Sequence, residues 1–149
     1  MQMLIENRRA RAEYTIVETF EAGIVLSGPE VKMLRLKRGG LVGAHVRVMQ
    51  DEAVLLNAQI PAYPYARQEE YDPKRTRKLL LHKHEILKLK QSQETKGSAI
   101  IPLSIGISHG FMKVKVAIAR GKKQYERREE LKKRDLAREV ERVTKKRMK

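Results

Sequence analysis

Residues 111–120 read FMKVKVAIAR, an alternation of apolar and polar or small side chains over a full strand length. Met112, Val114, Val116 and Ile118 fall on one face, and Lys113, Lys115 and Ala117 on the other. Period-two patterning of this kind marks a half-buried β-strand with its lysines toward water. The preceding AIIPLSIGI (99–107) is also strand-like, and Ser108-His109-Gly110 joins the two as a turn. An antiparallel hairpin is thus the fixed point from which the rest of the chain is read.

Working back toward the N-terminus, YTIVETFEAGIVL (14–26) is rich in β-branched and aromatic residues. It predicts a strand, a bend at Ala22-Gly23 and a second strand. In SGPEVKMLRLKRGG (27–40), Ser27 and Glu30 have capping-box spacing and Pro29 sits in the first turn. Gly39-Gly40 close the segment, so the spacing predicts a short helix with Val31, Leu34 and Leu41 facing inward. Residues 44–49 and 53–60 predict a second hairpin around Gln50-Asp51-Glu52. PAYPYARQEEYD is a proline-punctuated loop, after which Asp72-Pro73 predicts a helix start and helix formers run from 73 to 95, in two pieces meeting near His82. The expected fold is mainly β: a small OB-type antiparallel barrel with two to three short inserted helices, with an open α+β sandwich as the competing architecture.

The 149 residues include 33 Lys and Arg against 18 Asp and Glu, a net charge of +15. Residues 1–120 hold 20 basic and 12 acidic residues, and 121–149 hold 13 and 6. The first segment is expected to be the barrel. The second is a basic tail with little to bury, expected to be disordered when free and helical when bound to an RNA-lined partner. Such charge makes a polyanion the default partner. No apolar run reaches membrane-spanning length, and the apolar stretch at the start is too short for a secretory signal. Absence of cysteine excludes disulfides and thiolate chemistry.

Catalysis finds little support. HExxH, GxSxG and Walker patterns are absent, and no metal or cofactor is expected. His82 and His84, two apart, would point to different faces of a helix. A histidine-dependent ribonuclease is therefore the weaker reading beside simple surface histidines. Basic residues cluster at Arg8-Arg9-Ala10-Arg11, at Lys74-Arg75-Thr76-Arg77-Lys78, and along Lys113, Lys115, Arg120, Lys122 and Lys123. Two Phe, five Tyr and no Trp argue for structured RNA over long stacked single strands. Glu21 is an isolated acid beside a glycine bend, suited to a surface salt bridge, to orienting an arginine or to accepting from a guanine edge.

Four stretches in order, ENRRAR (6–11), FEAGIVLSGPEVKMLR (20–35), DPKRTRKLLLHKHEI (72–86) and KVKVAIARGKKQYERR (113–128), resemble the SsrA-binding protein (SmpB) family. The resemblance implies an OB-fold barrel that binds the tRNA-like domain of transfer-messenger RNA. It also implies delivery of that RNA to stalled ribosomes in the cytoplasm, as a monomer in a 1:1 complex, for trans-translation. A basic structural ribosomal protein and a general OB-fold RNA-binding module are the alternatives. Glu21, Leu80 and Lys113 match family positions needed for RNA binding, Leu80 as a packing residue; Lys115, Arg8, Arg9, Lys122 and Lys123 join them from the charge pattern. Gly121, Lys122, Lys123, Tyr125, Glu126, Arg127 and Arg128 match the motif expected at the decoding centre and mRNA channel. Ile105-Gly106-Ile107 and His45 stand where the family carries aromatic residues, and His45 is expected as a partly buried strand histidine.

Overall fold

A computed structural model describes residues 1–66 and 70–121. Its elements run β1 (Gln2–Glu6), α1 (Arg8–Glu13), β2 (Tyr14–Ile24), α2 (Gly28–Arg35), β3 (His45–Met49), β4 (Glu52–Leu56), β5 (Arg77–Leu80), α3 (Lys83–Glu94), β6 (Ser98–Ser108) and β7 (Phe111–Gly121). The strands form one seven-stranded antiparallel sheet in the order β1-β6-β7-β2-β5-β4-β3. Mainly β with three helices is thus the architecture, and the sheet's hydrogen bonding leaves β1 and β3 as edges rather than closing the ring. The tail lies outside the described residues beyond Gly121.

Local signals explain much of this. Val114 and Val116 are fully buried, with Met112 and Ile118 packed against the same core. At the β3–β4 hairpin Gln50 and Asp51 both take positive φ, 50° and 61°, as a two-residue primed turn requires. The Ser27 hydroxyl accepts from the Glu30 amide at 3.4 Å, and the Glu30 carboxylate accepts from the Ser27 amide at 2.9 Å, so the capping box is formed. Leu34 and Leu41 are buried as expected, Val31 only half-buried.

One core takes side chains from every strand, including Ile5 of β1, Val46 and Val48 of β3, Leu55 of β4 and Leu79 of β5. A flat sheet of this width cannot bring both edges to one cluster, so the sheet curls strongly. At the β3 edge the Gln93 side chain of α3 substitutes for a neighbouring strand. Its oxygen accepts from the Val48 amide at 2.7 Å and its nitrogen donates to the Val48 carbonyl at 3.2 Å.

Three expectations need correction. Ala22-Gly23 does not break β2, which is continuous; its irregularity is a bulge between Ile16 and Glu18. The first piece of the expected 73–95 helix is instead a turn followed by β5. The Asp72 carboxylate accepts from the Lys74 amide at 2.9 Å as a local turn, and Arg77 and Leu79 alternate inward from β5. Ala117, expected on the wet face with Lys113 and Lys115, is fully buried. The cause is α1, which lies over that half of the sheet and forms a second small core from Ala10, Ile101, Leu103, Ala117 and Ala119.

Asn7 holds α1 in place. Its side chain accepts from the Ala10 amide at 3.3 Å as helix cap and donates to the carbonyls of Pro102, 3.0 Å, and Leu41, 3.3 Å. Substitution Asn7→Ala strands two buried carbonyls and uncaps the helix. It is expected to cost about 1–3 kcal/mol in urea denaturation, and a variant as stable as the parent would show that α1 is not anchored this way.

Candidate nucleic-acid interface

Because directly opposed residues of antiparallel strands share a face, register decides which candidates meet. Leu80 of β5 opposes Gly23 of β2, Gly23 opposes Lys113 of β7, and Lys113 opposes Gly106 of β6. In the adjacent row Glu21 opposes Lys115, which opposes Ser104. Four of the sequence-predicted residues, Glu21, Leu80, Lys113 and Lys115, are therefore assembled in two neighbouring rows of the outer face. This is the half that α1 leaves open.

Lys113 is flanked on both sides by glycine, so its aliphatic stem has no neighbouring side chain within its row. A Cβ on Gly23 would meet the Leu80 side chain at 3.2 Å, so Leu80 lies across the glycine while itself remaining 53% exposed. A Cβ on Gly106 would clash with the Gln2 carbonyl and the Met1 side chain. An aromatic residue at 106 is excluded unless β1 moves, which accounts for the small residue there.

Glu21, Lys115, Thr19, Ser104 and Arg11 line a shallow hollow of about 340 Å³. Arg11 is the residue that sequence reasoning left out of the site. Asn7 as cap of the six-residue α1 was the signal, because the helix phase turns Arg11 toward this hollow while Arg8 and Arg9 go elsewhere. Arg8 lies 3.9 Å from Glu6, and Arg9 makes a 3.3 Å ion pair with Glu13. Arg9 lines a different cleft, of about 480 Å³, together with His45 and Arg47. His45 is exposed there rather than partly buried, because its side of β3 faces away from the core.

Ion pairing separates structural charges from available ones. Among the described residues Glu21, Lys113 and Lys115 form no ion pair, whereas Lys78 pairs with Glu52 at 3.1 Å and Lys88 with Glu18 at 3.0 Å. The central cluster 74–78, read from sequence as basic surface, is largely committed internally. Arg77 is fully buried; its Nε donates to Glu30 Oε2 at 2.7 Å, and its other nitrogens donate to the carbonyls of Ala58, Pro73 and Arg75 and to the Tyr71 hydroxyl. Arg75 pairs with the other Glu30 oxygen. Burial alone would raise the Glu30 pKa, but the hydrogen bonds from Arg75, the Ser27 amide and Arg77, with the Arg77 charge, hold it at about 2. Burial, followed by the Glu30 charge, pushes the Tyr71 phenol above its ordinary range.

No group of three or more potential metal ligands occurs among the described residues, and no described helix is long and apolar enough to cross a membrane. Lys122, Lys123, Tyr125, Glu126, Arg127 and Arg128 lie outside the described residues; Gly121 ends β7, opposite Tyr14.

A curled antiparallel sheet whose open outer face carries lysines and one acid without ion pairs among the described residues, and an exposed leucine, belongs to the class of basic β-sheet modules suited to structured polyanions. The sequence family model SmpB protein matches residues 4–146. The chain belongs to the SmpB family. An SsrA-binding protein of Pelotomaculum thermopropionicum is 47% identical over 148 residues, covering 99% of this chain and 97% of that one. Another, from Shouchella clausii, is 44% identical, covering 99% and 94%. A solved structure described as "tmRNA-SmpB: a journey to the center of the bacterial ribosome" has a TM-score of 0.69 and 46% identity, covering 82% of this chain and 86% of that one.

Proposed function

We propose that this chain is a non-enzymatic RNA-binding adaptor of trans-translation. It grips the tRNA-like domain of transfer-messenger RNA with the outer face bearing Glu21, Leu80, Lys113 and Lys115, and carries that RNA to stalled ribosomes. The observation that carries the reading is that Glu21, Lys113 and Lys115 converge on one open face without internal ion pairs among the described residues. Lys113 and Lys115 supply phosphate contacts. Glu21 accepts from a base edge or from the RNA-facing Arg11, and Leu80 packs over Gly23 to hold the surface flat. The names of the relatives and of the solved complex support RNA and ribosome as partners.

Around this site we read the curled sheet as an OB-type barrel, its seam between β3 and β6 covered by α3. Residues 121–149 form the tail that meets the decoding centre and mRNA channel. The protein acts in the cytoplasm as a monomer, 1:1 with the RNA and without a cofactor.

The test is a gel shift at fixed salt with the tRNA-like domain, using ordinary tRNA as competitor. Glu21→Ala and Lys113→Ala are each expected to weaken binding roughly tenfold or more, from loss of a charge-assisted contact worth about 1.5–3 kcal/mol, with melting unchanged. Parental affinity in both variants would remove the outer face from the interface.

A further inference from the structure

The two histidines that the adaptor reading leaves without a role are placed beside this face. His82 is not part of α3; it caps the helix in extended conformation, φ −70° and ψ 154°. The expectation that His82 and His84 diverge on a helix is therefore overturned: their rings are parallel within 7°, with centroids 5.6 Å apart. Both are exposed.

The backbone holds this arrangement. The Glu85 carboxylate accepts from the His82 amide at 2.9 Å, and the His82 carbonyl accepts from the Ile86 amide at 3.0 Å. Along β5 the side chains alternate, Leu79 inward and Leu80 outward, and Leu81 packs against the core. His82 is therefore turned outward like Leu80. The β2–β5 register pairs Gly23 with Leu80 and Ile24 with Leu79, and His82 follows two residues beyond Leu80. The imidazole pair thus stands at the junction of β5 and α3, next to Leu80 of the outer face, with exposed Lys83 between the two histidines.

We propose that the His82–His84 pair is a stacking platform for one unpaired nucleobase of the bound RNA. The proposal rests on the RNA-face reading and deepens it. Structured RNA is read chiefly at loops whose bases are splayed out, and imidazole is among the rings on which they stack. A parallel pair already held by backbone contacts loses little conformational freedom on binding, and the exposed Lys83 between the rings favours a phosphate-linked partner over a neutral or basic one. Stacking of this kind tolerates any base, so the platform contributes affinity and placement rather than sequence choice.

The experiment uses the full chain and the tRNA-like domain of transfer-messenger RNA, with Lys113→Ala alongside as the reporter of the face itself. His82→Ala and His84→Ala are each expected to weaken binding roughly 5- to 50-fold, while His82→Phe and His84→Phe stay within about twofold of the parent. Unchanged binding in the alanine variants overturns the platform. Phenylalanine variants that fall as far as the alanine ones also overturn it, because the histidines would then act as hydrogen-bond or charge donors. If Lys113→Ala binds normally while the histidine variants show the ring-dependent pattern, the platform stands and the lysine face is misplaced. If only Lys113→Ala loses affinity, the face stands and the platform falls. Circular dichroism melting checks each fold; should an alanine variant melt early, its phenylalanine counterpart carries the comparison.

Discussion

Replacing Glu30 by alanine is expected to destabilise the protein by about 3–5 kcal/mol, the usual cost of leaving a buried charge without its partner. In a domain of this size that lowers the melting temperature by on the order of 10 °C. The residue left behind is Arg77, which is fully buried and whose guanidinium is oriented by the carboxylate and three main-chain carbonyls. The same carboxylate also holds Arg75 and caps α2, so a single change loosens the loop before β5, the strand itself and the helix start. A pH signature separates this from simple loss of packing. Glu30 titrates at about 2 in the folded protein against an ordinary 4.5. Its contribution, on the order of 3 kcal/mol, is complete above pH 4.5 and is lost as pH falls toward 2. Glu30→Gln should show a shallower loss of stability over that window in chemical denaturation. A Glu30→Ala variant within about 1 kcal/mol of the parent would mean that the network contributes little to folding.

Ending the chain after Gly121 is expected to leave RNA binding by the sheet face in place while abolishing peptide tagging on stalled ribosomes. Gly121 still pairs with Tyr14, so the cut spares the β2–β7 ladder. It removes thirteen basic and six acidic residues, hence about half of the net +15. If face and tail engage RNA and ribosome as two linked contacts, loss of one forfeits the gain of linkage, roughly 10²- to 10⁴-fold in delivery. A reconstituted reaction with a message lacking a stop codon measures it. Tagging by the shortened protein at the parental rate would show that residues 122–149 do not probe the ribosome.

Which parts were legible in the sequence follows from the range of the interactions that decide them. The core-facing alternation of Met112, Val114, Val116 and Ile118 and the Ser27–Glu30 capping box are settled within a few residues, and both are borne out. β5 was not, because Asp72-Pro73 is a sound helix start on local grounds; what overrides it is the pairing of Arg77 with Glu30, 47 residues away. Ala117 was assigned to water because nothing near it announces that α1 will cover it. At the site, the residue types of Glu21, Leu80 and Lys113 were legible and supported by family resemblance. Their adjacency was not, since it depends on the register of three strands and on the bulge that rephases β2. The stacked histidines were missed because their geometry depends on where α3 begins, a matter of one residue.

The pairing of β2 with β7 has a consequence for how the protein comes into being. Tyr14–Gly23 opposes Lys113–Gly121, and β1 opposes Ser104–Ile107, so the earliest strands can find their partners only when nearly the whole body has been made. Such contacts of high sequence separation form late. A copy broken off before residue 111 would lack the strand between β6 and β2 and the lysines it carries. Under the proposed role, a message for this protein that itself lost its end would yield no half-competent adaptor to occupy RNA unproductively. Biogenesis would be all or none, and defective copies would be silent rather than interfering.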